Sequence, residues 1–231
     1  MQTQEKSQSN MMFFFFFSSL RSCLFDLNDR GISLKHNDHM KILRKFDLVD
    51  FEAGAKVAGE NFVFLKNEAA MLEMGLSMWA MTELRKKGWT VMTAPDVAKE
   101  QVVSDCGFMP RGQHSETYRI VSGATDMCLT GTSEVAIGGM CSDKIFKKEE
   151  LPLKLSAFSH CFRRESSERG LYRLHQFSKV EMFIVCHPSE TEKLFDELLE
   201  VQESMYKELE IPFRLVEMPY KDLGNPAFRK V

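Results

Sequence analysis

Long apolar runs are scarce in this 231-residue sequence. The most conspicuous, MMFFFFFSSL near the N-terminus, is about half the ~20 residues a membrane-spanning helix needs, so no membrane association is expected. Paired cysteines are also lacking. Cys23, Cys106, Cys128, Cys141, Cys161 and Cys186 stand singly, with no Cys-x-x-Cys and no cysteine–histidine cluster at zinc spacing. That excludes a zinc ribbon and suits a reducing compartment. Charge of one sign is missing as well. Lys and Arg number 30 against 33 Asp and Glu, a formal net charge of −3, so the chain as a whole is no polycation for nucleic acid. There is no internal repeat and no run of heptads.

The composition is that of an ordinary globular chain, 44% hydrophobic and 27% charged. Its charge is unevenly spread. Residues 144–179 hold nine Lys or Arg against four Glu, whereas residues 186–210 hold two Lys against eight Asp or Glu. An anionic ligand is expected at the first segment. Residues 1–25 contain one Arg, one Lys, one Glu and five Ser. The net-neutral start does not suit a secretory signal, and the fit to a mitochondrial presequence is partial. Residues 1–40 are read as a leader or targeting segment, with no structure expected before about His36. A mitochondrial location is the expectation, and a cytoplasmic one the alternative.

Residues 47–59 read as a surface segment with turns at Gly54 and Gly59, and residues 61–65 as a short strand. Over residues 67–87 Ala69, Leu72, Leu76 and Trp79 recur at helical spacing, widened by Met71, Met74, Met78 and Met81. Such a stripe is usually core or subunit interface. Trp89, Val91 and Thr93 alternate in a strand that must stop at Pro95. Thr132 is placed to cap a helix entering at Ser133 and Glu134. Residues 153–165 and 171–185 read as two long strands joined by SSERG, an antiparallel hairpin. Ser189 and Glu192 match a capping box for a helix ending near Leu209, and residues 213–218 read as a further strand. Mostly antiparallel strands with helices between them predict an α+β fold, one sheet with helices packed against it.

The hairpin carries the chemistry. With period two, Arg173, His175, Phe177, Lys179, Glu181 and Phe183 share one face of the second strand, and Arg163 and Glu165 share a face of the first. Arginine offers a planar fork of donors to phosphate or carboxylate. Phenylalanine stacks a flat base. A carboxylate beside cations stays ionised and holds an ammonium group. ATP together with an amino acid has all three parts. Against this stands a solvated hairpin with surface ion pairs. Lys179 in particular reads equally well as a surface charge, His175 as a structural hydrogen-bonder, and Ser189 as no more than a cap.

Within these residues, FRRE…GLYRLHQFSKVEMF (162–183) resembles motif 2 of the class II aminoacyl-tRNA synthetases, nearest their seryl type of bacterial and organellar origin. KGWTVMTAPDV (87–97) resembles motif 1, LTGTSEVAI (129–137) resembles the seryl TxE loop, and residues 47–72 resemble the opening of the catalytic domain. The resemblance implies a class II mixed sheet over residues 41–231. It implies a serine–tRNA ligase activity, with serine, ATP and tRNA(Ser) as substrates, Mg2+ as cofactor and a homodimer built on the motif 1 face. By position it assigns Thr132, Ser133, Glu134, Arg163 and Glu181 to serine. It assigns Arg163, Arg164, Glu165, Arg173 and Phe177 to ATP, with Arg163 as the catalytic residue bridging the α-phosphate. The sequence departs from the family in having no long N-terminal helical arm, a short SSERG turn and no motif 3. The acidic magnesium ligand is expected beyond Val231, and no metal ligand is identified within the sequence. The expectation is therefore an incomplete catalytic domain with weak ATP binding and negligible tRNA charging. The alternative is a non-catalytic synthetase-like module for dimerisation or RNA binding.

Overall fold

Two ten-residue strands set the architecture, because they pair along their whole length as the central hairpin of the main sheet. The computed structural model describes residues 13–15, 39–108, 117–120, 126–164, 170–223 and 227–231. In chain order the elements are β1 (Phe13–Phe15), α1 (His39–Lys45), β2 (Val49–Asp50), α2 (Phe51–Ala58), β3 (Phe64–Leu65) and α3 (Asn67–Lys86). They continue with β4 (Thr90–Thr93), β5 (Val97–Lys99), α4 (Glu100–Asp105), β6 (Arg119–Ile120), β7 (Met127–Leu129), α5 (Ser133–Cys141), β8 (Leu153–Phe162), β9 (Gln176–Val185) and α6 (Thr191–Glu208). The main sheet runs β1-β9-β8-β4, with β4 parallel to β8 and the other pairs antiparallel. A β2-β3 pair and a β5-β7-β6 sheet flank it. This is the α+β architecture expected, with mostly antiparallel strands.

Register divides the main sheet. Leu155 faces Phe183, Ala157 faces Glu181, Ser159 faces Lys179 and Cys161 faces Phe177, so these eight side chains share one face. At its lower end Ile137 of α5 closes a small core with Leu155, Ala157 and Phe183. On the other face Met182 and Ile184 meet Ala80 and Leu84 of α3, Trp89, and Leu194, Phe195, Leu198 and Met205 of α6. Each fully buried aliphatic side chain there contributes about 2 kcal/mol of transfer free energy. The oily face thus anchors the sheet and leaves the polar face to α5 and the loops.

Several local readings need correction. Residues 47–59 are not a loop: Asp50 accepts the Ala53 N–H at 2.8 Å and caps α2, which ends at Gly59 with φ +101°. Gly54 marks close approach rather than a turn, because a Cβ there would lie 2.2 Å from the Phe62 carbonyl oxygen. The second hairpin strand begins at Gln176, not Leu171, so Arg173 and His175 precede the strand. Ser189 does not cap α6. A 3-10 turn over Pro188–Glu190 comes first, and the His187 ring accepts the Ser189 N–H at 3.3 Å. Residues 213–218 form no strand and have no ladder partner among the described residues. The tail packs on α6 instead: Arg229 pairs with Glu217, Glu192 and Asp196 and lies 4.2 Å over the Phe195 ring. Ahead of His36, β1 adds a strand on the outer edge of β9, within the segment read as a leader. The five described cysteines are free thiols, and no described helix is long and apolar enough to cross a membrane.

The Gly54 contact is with backbone, which cannot rotate away. Gly54→Ala is therefore expected to lower unfolding stability by on the order of 3 kcal/mol in chemical denaturation. An unchanged denaturation midpoint would show that α2 is free to move off residues 62–63.

Candidate active site

The site is built where β7 turns into α5. The Thr130 N–H donates to the Asp96 carbonyl at 2.8 Å, and the Phe162 N–H donates to the Thr130 carbonyl at 2.9 Å. The turn is thereby stapled between the segment after β4 and the end of β8. Thr132 follows in extended conformation (φ −170°) and caps α5, as its position in the sequence predicts. This aims the α5 N-terminus, the positive end of the helix, at the carboxylate of Glu181 on β9.

The hydrogen bonds around Thr132 can be assigned by elimination. Its Oγ1 lies 2.6 Å from Lys179 Nζ, 2.7 Å from Glu181 Oε2 and 3.3 Å from the Glu134 N–H. An ammonium and an amide only donate, so the hydroxyl accepts from both and gives its one proton to Glu181. Glu181 Oε2 also accepts from Ser133 Oγ at 2.6 Å and from the Glu134 N–H at 3.2 Å, while Oε1 accepts from Lys179 at 3.1 Å. Thr132, Ser133, Lys179 and Glu181 are all buried. Lys179 is therefore no surface charge. It sits at 3% exposure inside the network, and only the period-two pattern placing it between Phe177 and Glu181 hinted at this.

Glu134 is the exception. Its side chain is 1% exposed, and neither carboxyl oxygen has a hydrogen-bond partner among the described residues. Burial and the nearby Glu181 push its carboxyl up to about 9, opposed by the positive charges of Lys179 and Arg163. A buried carboxyl with both oxygens open is a receptor for a cationic donor.

Arg163 and Phe177 flank this pocket. Arg163 Nε donates to the Gly131 carbonyl at 3.0 Å, and its guanidinium lies 5.4 Å over the Phe177 ring. The Arg163 N–H donates to the His175 carbonyl, and the His175 ring meets the Tyr118 hydroxyl at 2.5 Å. Arg164 is exposed and lies 5.6 Å over the Tyr118 ring. Thr132, Ser133, Glu134 and Glu181 are thus brought together, and Arg163 and Phe177 beside them. Arg173 stands ahead of β9, and Glu165 lies outside the described residues. Besides Lys179, sequence reasoning missed Asp96 and Tyr118. Asp96 takes the backbone N–H and ring of His160 at 3.0 and 2.8 Å. No local signal marks either residue, since their partners are over fifty residues away. Among the described residues no group of three or more Asp, Glu, His or Cys is placed to hold a metal ion. They do not fit a magnesium site.

The Glu134 shift has a stability consequence. Its folded-state carboxyl holds a proton that the unfolded chain releases near its ordinary 4.5, so stability falls as pH rises from about 4.5 to about 9. Glu134→Gln is expected to remove this slope and to stabilise the unliganded protein at pH 8 by on the order of 3 kcal/mol. Thermal melts across that range check it, and parallel curves for the two proteins would contradict it.

Comparison with known proteins agrees with this geometry. Residues 118–227 match the tRNA synthetase class II core domain (G, H, P, S and T). A serine–tRNA ligase of Treponema denticola is 48% identical over 198 residues, covering 84% of this chain and 46% of the relative. Among solved structures, the cytoplasmic serine–tRNA ligase from Naegleria fowleri in complex with AMP matches with a TM-score of 0.76 and 30% identity, over 83% of this chain and 46% of that one. The seryl-tRNA synthetase from Pyrococcus horikoshii complexed with ATP matches with a TM-score of 0.75 and 30% identity, over 83% and 43%. The chain spans about half the length of the curated relatives it matches. By motifs, fold and relatives together, the chain is similar to the seryl branch of the class II tRNA synthetases, and its residues 118–227 match their core domain.

Proposed function

We propose that this chain carries the serine-activating part of a serine–tRNA ligase. The observation that supports it most is the unpartnered Glu134 carboxyl, buried beside a Glu181 already held by four donors. In this reading Glu134 takes the serine ammonium. Glu181 Oε1, engaged by Lys179, retains a lone pair for the serine hydroxyl. Thr132 and Ser133 orient Glu181 rather than touching substrate. Arg163, stacked on Phe177, meets the serine carboxylate and the ATP α-phosphate, and Phe177 offers its ring to the adenine.

The reaction is attack of the serine carboxylate oxygen on the α-phosphorus of ATP. The bond to the β-phosphate oxygen breaks, and pyrophosphate departs. The tRNA 3′-terminal hydroxyl then displaces AMP from the seryl-adenylate. Neither partner in the first step needs deprotonating, so positioning and charge stabilisation carry the rate. Arg163 is the group facing the developing phosphate charge. Arg164, Glu165 and Arg173 remain assigned to ATP by resemblance. The curated relatives are of bacterial type, which favours a cytoplasmic over a mitochondrial setting.

The face of α3 that is not packed on the sheet supports a homodimer. Met71, Leu72, Met74 and Met78 are more than 60% exposed, and a groove of about 530 Å³ on this helix is lined by Met71, Leu72, Leu76 and Trp79. An obligate interface of this kind buries upwards of ~2,000 Å². Sedimentation at micromolar concentration is expected to show a dimer, converted to monomer by Met78→Glu. A well-folded wild-type monomer would count against it.

The substrate assignment is tested by calorimetric titration of the full chain with a non-hydrolysable seryl-adenylate analogue and its alanyl counterpart. Serine should be preferred, because a pocket built to hydrogen-bond a hydroxyl leaves polar groups unpaired around alanine. Glu134→Gln should weaken the seryl ligand on the order of a hundredfold. Equal affinity for the two ligands, or an unaffected Glu134→Gln variant, would overturn the assignment.

A further inference from the structure

Lys179 is a buried cation that the reaction just described does not use. It touches no reacting atom, yet it engages both Thr132 Oγ1 (2.6 Å) and Glu181 Oε1 (3.1 Å). Its first contact fixes which way the Thr132 hydroxyl points, since that oxygen must accept from Nζ and so donate to Glu181. Its second sets the charge. With Glu134 ionised, the pocket holds two carboxylates, Glu134 and Glu181, against two cations, Lys179 and Arg163, among the described residues. A neutral balance of separated charges is the complement of a zwitterion, one ammonium and one carboxylate, and not of a bare amine.

We propose that Lys179 is a specificity-determining positioning residue that makes the pocket select zwitterionic amino acids over simple cationic amines. The inference rests on the serine-site reading above. Without Lys179, Glu181 keeps three donors, one of them the Glu134 N–H at the α5 N-terminus. The pocket then carries one surplus negative charge and favours a cation. Ethanolamine, which has serine's ammonium and hydroxyl but no carboxylate, is the matching probe. Because both ligands carry the hydroxyl, changes at Glu181 that affect hydroxyl binding cancel in the ratio of their affinities.

The experiment measures L-serine and ethanolamine binding to the full chain in wild type, Lys179→Met, Glu181→Gln and the double variant. The serine-to-ethanolamine ratio should fall roughly tenfold or more in Lys179→Met and recover in the double variant, where the charge balance is restored. Glu181→Gln alone, with the opposite charge change, should move the ratio toward serine, and it decides the matter if Lys179→Met fails to fold. In parallel, 13C-carboxyl NMR follows the Glu134 titration without any ligand. It should move up in Lys179→Met and back down in the double variant. A ratio unchanged by these charge changes, or a Glu134 titration that does not move, overturns the proposal. Wild type binding neither probe counts against the serine-site reading, while the Glu134 titration still decides the role of Lys179.

Discussion

The structure turns on one buried cluster, the Thr132 hydroxyl held between the Lys179 ammonium and the Glu181 carboxylate. Its members come from two places far apart in sequence, the N-terminus of α5 and the middle of β9. Each can be buried only because the others satisfy it. A lone charge at this depth would cost several kcal/mol, and removing one partner of such a pair typically costs about 3–5 kcal/mol. The cluster therefore demands that β9 keep its register on β8 and that α5 start at Ser133. A one-residue slip of β9 would turn Lys179 and Glu181 into the oily face occupied by Met182 and Ile184.

The division of the sheet follows from the same constraint. The oily face of β9, closed by α3 and α6, carries the largest buried apolar cluster among the described residues. The polar face can then afford a carboxyl that is left unpaired. Glu134 is such a group, held where α5 begins and destabilising until a cation arrives. Strain of this kind at a ligand pocket is offset by packing elsewhere. Arg163 stands just outside this cluster, tied to the Gly131 carbonyl and laid over Phe177.

What was legible in the sequence was local or periodic. The hairpin, the Met-rich helix, the Thr132 cap and the Arg163–Phe177 neighbourhood all follow from spacing along one element or across one turn. What was not legible depends on distant partners. Burial of Lys179 needs Thr132, 47 residues away. Gly54 read as a turn because its close neighbour, the backbone of Phe62, is invisible to a pattern of residue types. Residues 213–218 have strand composition, but composition does not supply a neighbouring strand. The isolation of Glu134 was the least legible, since it is a statement about which groups are missing around it.

The central claim is that Glu134, protonated and unpartnered in the free protein, becomes the ionised receptor of the serine ammonium. Binding must then expel its proton. The most direct measurement is calorimetric titration of serine near pH 7.5 in buffers of different ionisation enthalpy. The account predicts that about one proton is released per serine bound, and that Glu134→Gln abolishes the release. Serine binding with no dependence on buffer ionisation enthalpy would contradict it.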